Sequence, residues 1–395
     1  MFDRRTLLQR AGLLAPLWFA GPPVWLTGRS AFGAPEPNPG LIVHTPVPHN
    51  AEPPLGALVQ SWITPNDRFY VRSHAPVPKV DADNFKLSVE GLVEEPFEIS
   101  LGQLQSDFKK QAVVATMTCA GNRRSEHSLV KEVAGVQWQA GAIGNAKWAG
   151  TRLSDLLKKA GIKEGAKHVW FDGVDEVEYK GGIIPFGASI PLNKAMSDTE
   201  TMPGALVCHE MNGEPLSPDH GFPIRTVVPG YIGARSVKWL GKIIVSDRPS
   251  TNHYVAAAYK VVIEGTDDEL ASTPPLENFV INSVTCDPDA GSNVALGKLD
   301  VSGYALATGI PGQTIARVEL STDGGASWTK ARFTSQAKPY CWRLWKADVD
   351  VRAKTSEIIV RAVDSSGNIQ PETVAWNLKG YMFNAWHKTP VRVGE

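Results

Sequence analysis

The sequence predicts an α+β protein, with a mixed α/β domain followed by an immunoglobulin-like β-sandwich. Three observations carry that prediction. Helical and strand patterns mingle over residues 61–265. A polar stretch with Pro274 and Pro275 follows at residues 266–278 and reads as a linker. Beyond it, residues 279–395 change to short alternating strands separated by turns. A chain of 395 residues has room for two or three domains.

In the first region, Thr151 to Ala160 has apolar residues at helical spacing, and Gly161 is placed to close the helix. His168 to Gly173 and Val237 to Val245 read as strands that end in turns. In the second region, Ile315 to Ser321 leads through Thr322-Asp323-Gly324-Gly325 into Ala326 to Lys330, the pattern of a β-hairpin. Glu357 to Asp364 is a further strand, ending at the turn Ser365-Ser366-Gly367-Asn368.

The N-terminus reads differently. Residues 1–33 have the form of a removable export signal, with Arg4-Arg5-Thr6-Leu7-Leu8 as a twin-arginine signature before an apolar stretch from Leu13 to Leu26. That stretch is interrupted by prolines and falls short of the roughly 20 apolar residues of a membrane span. Ala31-Phe32-Gly33 offers small residues for cleavage before Ala34. Twin-arginine export carries folded proteins, which points to the periplasm and to a cofactor inserted before export. Residues 34–60, rich in Pro and Gly, read as an extended arm.

Composition narrows the function. A formal net charge of -1 argues against general nucleic-acid binding, which needs a basic surface. The four cysteines, Cys119, Cys208, Cys286 and Cys341, lack the close spacing of zinc or iron–sulfur sites. Twelve tryptophans supply enough large rings to line a buried cleft as well as fill cores.

The most informative stretch is Thr116-Met117-Thr118-Cys119-Ala120-Gly121-Asn122-Arg123-Arg124-Ser125-Glu126-His127. Small neighbours let the Cys119 sulfur approach a bulky group, and the two arginines favour thiolate. A thiolate is a soft ligand suited to a redox metal. The same residues equally describe a reactive thiol, or a turn bearing solvated arginines.

Cys119 to Glu126 resembles the Cys-Ala-Gly-Asn-Arg-Arg-Ser-Glu motif of the sulfite oxidase family of molybdopterin enzymes, which includes bacterial periplasmic sulfite dehydrogenases. Phe69 to Pro78, Asp219 to Arg225, Pro229 to Trp239, and Trp376 to Gly380 with Asn384 to His387 resemble further family segments, in the same order. The resemblance implies a molybdenum–molybdopterin cofactor with Cys119 as the metal ligand. It implies that Tyr70, Val71, Arg72, Ser73, His74, Asp175, His220, Arg225, Ser236, Val237 and Lys238 hold the pterin and its phosphate. Arg225 and Lys238 suit a phosphate, and Asp175 suits pterin N–H groups.

The substrate implied is sulfite, oxidised to sulfate. Arg72 and Arg124 are the expected anion binders, Tyr259 the active-site tyrosine and Trp138 the aromatic wall of the pocket. Two positions depart from common family residues. Lys379 stands where arginine is frequent, which keeps the charge and loses the bidentate fork. Ser73 stands where asparagine is frequent. The sequence has no Cys-x-x-Cys-His haem motif and no evident room for a haem b domain, so an external electron acceptor, a c-type cytochrome, is expected. The second domain resembles the family's dimerisation domain, which implies a homodimer. The alternatives are a reductase of a sulfoxide or other oxyanion using the same cofactor, and a non-catalytic exported binding module in which Cys119 is structural. Residues 279–395 count against the sulfoxide-reducing relatives, which resemble only the first domain.

Overall fold

A computed structural model describes residues 40–197 and 203–394. The expected export signal at residues 1–33 lies outside the described residues. The first region is built on two five-stranded sheets. One runs in the order Gly187–Pro191, His168–Gly173, Leu240–Ser246, Lys86–Gly91, Phe97–Ser100, and only its Leu240–Ser246 and Lys86–Gly91 pair is parallel. The other runs Glu214–Pro215, Leu206–Met211, Ile143–Arg152, Gln111–Thr118, with Arg225–Val227 also paired to Leu206–Met211.

The helix Leu153–Ala160 shows why these elements pack. Leu153, Leu156, Leu157 and Ala160 recur at helical spacing and are buried. They meet Leu87, Val89, Val169, Phe171 and Ile243 from the first sheet in one core. Each fully buried leucine stabilises the domain by about 1.5–3 kcal/mol. Lys158 and Lys159 in the last turn suit the helix dipole, and Gly161 caps the end, as the sequence predicts.

The second region is a β-sandwich. Its sheets run Asn282–Asp287, Gly297–Leu306, Arg343–Val351, Arg332–Phe333, and Ser292–Ala295, His387–Gly394, Glu357–Asp364, Ile315–Ser321, Thr329–Lys330. Along Arg343–Val351, Trp345, Ala347, Val349 and Val351 are buried while Asp348 and Asp350 are exposed, the period of two that a half-buried strand requires. The expected hairpin is present, with Glu319 paired to Lys330.

Two stretches differ from the sequence reading. Residues 266–278, read as a linker, contain the helix Asp267–Ser272. It has no apolar stripe to betray it. Thr266 caps its first turn by accepting from the Glu269 N–H, and Asp267, Asp268 and Glu269 sit at the positive end of the dipole. In residues 34–60, the described part forms the strands Ile42–Thr45 and Asn50–Glu52 and a short helical turn Leu55–Leu58 rather than a plain arm.

The sandwich is stitched to the strand that delivers Cys119. The Thr116 N–H donates to the Tyr340 carbonyl at 2.9 Å, and the Trp342 N–H donates to Thr116 Oγ1 at 2.8 Å. The Tyr304 hydroxyl donates to the Ala140 carbonyl at 2.8 Å and accepts from Asn122 Nδ2 at 3.2 Å. Among the described residues no helix is long and apolar enough to cross a membrane.

Candidate active site

Cys119 follows the strand Gln111–Thr118, whose pairing with Ile143–Arg152 aims the chain at a cavity. The next residues form a tight turn. The Asn122 N–H donates to the Cys119 carbonyl at 3.0 Å, and the Gly121 N–H donates to the Cys119 sulfur at 3.4 Å. A Cβ at Gly121 would lie 2.5 Å from Arg124 Nη2, so the bare glycine leaves room for that guanidinium. Cys119 alone of the four cysteines is not buried. Burial pushes the thiols of Cys208 and Cys286 far up and that of Cys341 to about 12, so those three are packing residues.

The cavity has an empty volume of about 670 Å³, part of it open to solvent. Tyr70, Arg72, Ser73, His74, Cys119, Asp175, His220, Arg225, Ser236, Lys238 and Tyr259 all line it. These residues come from segments far apart in sequence, and one cavity collects them. Phe69, Met117, Phe186, Asp219 and Trp239 also line it and were not among the expected site residues.

Its electrostatics call for an anion. Burial, then the nearby Arg225, pushes the Lys238 ammonium down to about 7. Burial lowers Arg225 to about 10, and burial with Lys238 and Arg225 lowers His220 to about 4. Buried cations that repel one another regain their charge when an anion joins them. Lys238 Nζ donates to Ser73 Oγ and to the Asp219 carbonyl, both at 2.8 Å. The short Ser73 side chain thus becomes an acceptor for the ammonium. Arg225 donates to the carbonyls of His220 and Ser236 at 3.0 and 3.1 Å and lies over the Trp148 ring. Burial raises the Asp175 carboxyl, while the Phe186 N–H donates to it at 3.1 Å.

On the other side of the cavity, the Tyr259 hydroxyl and His74 Nε2 are hydrogen-bonded at 3.1 Å. Burial, then Arg72, holds the His74 imidazole well below its usual range, so it is neutral at pH 7. Burial drives the Tyr259 phenol far above its usual range, so it stays protonated. Arg72 Nη1 donates to Asn50 Oδ1 at 3.0 Å and to the Ser73 carbonyl.

Five expected residues stand outside the lining. Val71 and Val237 have buried side chains, and the Val237 N–H donates to Thr226 Oγ1 at 2.7 Å. Trp138, expected as the pocket's aromatic wall, is not among the residues that line the cavity. Its ring is fully buried, edge-on to His44 at 4.9 Å, in a core with Phe69 and Trp148. Buried Glu52 accepts from the N–H groups of Gln139 and Gly141 at 2.7 and 2.8 Å and so fixes the segment that follows Trp138. Arg124 is nearly buried, with Nε donating to the Lys379 carbonyl at 3.0 Å and Nη1 to the Val136 carbonyl at 2.8 Å. Lys379 itself is exposed, near His253, whose imidazole burial and then the Lys379 charge depress.

Among the described residues, no three His, Cys, Asp or Glu side chains are grouped to hold a metal ion. A metal here would take the Cys119 sulfur and rely on an organic carrier for its other ligands. The residues fit such a carrier: a lone accessible thiol, a buried cationic cradle for a phosphate and a carboxyl for ring N–H groups.

Comparisons with known proteins agree. Residues 74–254 match a family described as the oxidoreductase molybdopterin binding domain, and residues 274–394 match the Mo-co oxidoreductase dimerisation domain. The chain is 42% identical to mitochondrial sulfite oxidase of Rattus norvegicus over 375 residues, covering 91% of this chain and 67% of that protein. It is 40% identical to sulfite oxidase of Arabidopsis thaliana over 384 residues, covering 91% and 96%. The sulfane dehydrogenase SoxCD of Paracoccus pantotrophus has a similar structure, with a TM-score of 0.75, 27% identity and coverage of 93% and 95%.

Fold and site therefore define a molybdopterin-dependent oxidoreductase. More narrowly, the chain belongs to the sulfite oxidase family, and its cofactor is the molybdenum–molybdopterin of that family.

Proposed function

We propose that this protein oxidises sulfite to sulfate. The observation that carries the reading is the single cavity shared by the Cys119 sulfur, Arg72, His74 and Tyr259. Identities of 40–42% to sulfite oxidases add to it. In this reading Tyr70, Arg72, Ser73, His74, Asp175, His220, Arg225, Ser236 and Lys238 hold the cofactor, and Cys119 binds its metal. When bound, the cofactor supplies the two-electron oxidation.

The chain's own groups bind and orient the anion. The Arg72 guanidinium attracts the oxyanion and offers it a fork of N–H donors. Tyr259 keeps its proton and presents a neutral hydroxyl, held by His74. A neutral His74 avoids placing another fixed charge beside Arg72. The exposed Lys379 ammonium adds positive potential nearby, which raises the local anion concentration.

Electrons pass, in this proposal, to an external acceptor such as a c-type cytochrome. Arg4-Arg5 supports export to the periplasm by the twin-arginine route, and the dimerisation-domain match supports a homodimer. The test is a steady-state assay of molybdenum-loaded protein with sulfite and an artificial one-electron acceptor. Turnover of sulfite is expected. Inert sulfite with a full molybdenum load would overturn the reading. The structural likeness to a sulfane dehydrogenase supports a second substrate class, sulfane sulfur, and the same assay with a bound sulfane donor separates the two.

A further inference from the structure

Tyr381 belongs to no motif singled out in the sequence, yet it sits among the site's key groups. Its ring stacks on Tyr259, with centroids 5.2 Å apart and planes 21° apart. The other rings near Tyr259 are more distant and tilted or edge-on: His74 at 6.2 Å, Tyr254 at 6.3 Å and Phe186 at 6.5 Å. The Arg124 guanidinium lies over the Tyr381 ring at 5.3 Å.

The backbone holds Tyr381 in place with unusual firmness. The Asn377 side chain accepts from the Tyr381 N–H at 3.0 Å and donates to its carbonyl at 2.9 Å. The Asn377 N–H in turn donates to His127 Nε2 at 2.9 Å. The next residue, Met382, donates its N–H to the Ala120 carbonyl at 2.7 Å, one position past Cys119. Gly380 and Met382 flank the tyrosine at φ 59° and 61°. For Met382 that left-handed backbone is strained, and such strain persists only where surrounding contacts enforce it. Gly380 also makes room for Arg124, whose Cγ a Cβ would approach to 2.9 Å.

We propose that Tyr381 is a positioning residue: it ties the Cys119 loop to Tyr259 and sets the angle at which the Tyr259 hydroxyl faces the bound anion. The chain 377–382 is clamped to His127 and Ala120, and the ring carries that clamp across to Tyr259. Tyr259 itself follows the π-helical turn Tyr254–Ala258, its carbonyl held by the Leu276 N–H at 2.8 Å and its ring bordered by Tyr381 and by the Arg235 guanidinium, 5.8 Å away. Stacked aromatic pairs contribute about 0.5–1.5 kcal/mol beyond area burial, enough to bias a ring between orientations.

The inference rests on the sulfite reading, so its test includes a measurement that does not. Tyr381→Leu and Tyr381→Phe are made alone and in a Tyr259→Phe background, with molybdenum and pterin content checked in each. Equilibrium sulfate binding is measured by calorimetry, and kcat and KM for sulfite by steady-state assay. Tyr381→Leu is expected to weaken sulfate binding and lower kcat by about tenfold, with Tyr381→Phe staying within about threefold of the parent. In the Tyr259→Phe background, Tyr381→Leu should add almost nothing. Unchanged sulfate affinity in Tyr381→Leu, or an equal loss in both backgrounds, overturns the proposal. Should Tyr381→Leu fail to fold or load, Tyr381→Met serves in its place with the same criteria. A parent protein that ignores sulfite would sink the proposed function, while the sulfate-binding cycle would still decide the role of Tyr381.

Discussion

The Arg123 guanidinium grips Glu126 through paired hydrogen bonds of 2.7 and 2.6 Å, and its Nη1 donates at 2.8 Å to both Asn282 Oδ1 and the Ala385 carbonyl. Arg123 is fully buried, with a left-handed φ of 67°. One side chain thus locks the turn after Cys119 to the sandwich. Arg123→Met should destabilise the protein by about 3 kcal/mol, because Glu126, Asn282 and a carbonyl lose their donor together. Urea denaturation gives the measure. A change below about 1 kcal/mol would show that the network is dispensable.

Cys119→Ser replaces a soft thiolate with a hard oxygen ligand. Sulfite turnover should fall more than about 100-fold, beyond what loss of an outer-shell partner brings. Circular dichroism should be unchanged, since Cys119 is not in a tightly packed core. Near-normal rates would remove Cys119 from the metal.

Lys238→Met removes the ammonium that bridges Ser73 and Asp219. The phosphate cradle then loses its most adaptable cation, and molybdenum and pterin content of the purified protein should drop about tenfold. Full occupancy in the variant would mean that Arg225 and His220 suffice.

Lys379→Ala deletes an exposed charge while leaving the backbone carbonyl that holds Arg124. The expected result is a KM for sulfite raised about two- to tenfold with kcat nearly kept, and a weaker dependence of KM on salt. If KM is unmoved at low ionic strength, Lys379 has no part in anion capture.

His387 sets a pH response. Burial lowers its imidazole to about 4 in the folded protein, against about 6.5 when unfolded. Between those values the unfolded chain binds the extra proton, so stability is full above about pH 6.5 and is lost as pH falls toward 4. The urea midpoint should therefore decline across that window, and His387→Gln should flatten the decline. An identical slope in the variant would assign the effect to other groups.

The residues from Cys119 to Glu126, the alternating strands after the Pro274-Pro275 pair and the helix ending at Gly161 were all legible in sequence. They depend on local side-chain chemistry and on periods of 2 and 3.6 residues. The helix Asp267–Ser272 was not, because its signals are a cap and a dipole without an apolar face. Trp138 and Tyr381 show the deeper limit. A tryptophan that reads as a pocket wall packs with Phe69 and Trp148 in the core, and a tyrosine outside every motif is laid against Tyr259.

What the sequence by itself determined is therefore the fold class and, through the order of its family-like segments, the cofactor. Only the tertiary structure decided which of those side chains face the cavity. Their direction is set by partners distant in the chain, as when Arg123 meets Ala385 across 262 positions, and no local pattern encodes such a meeting.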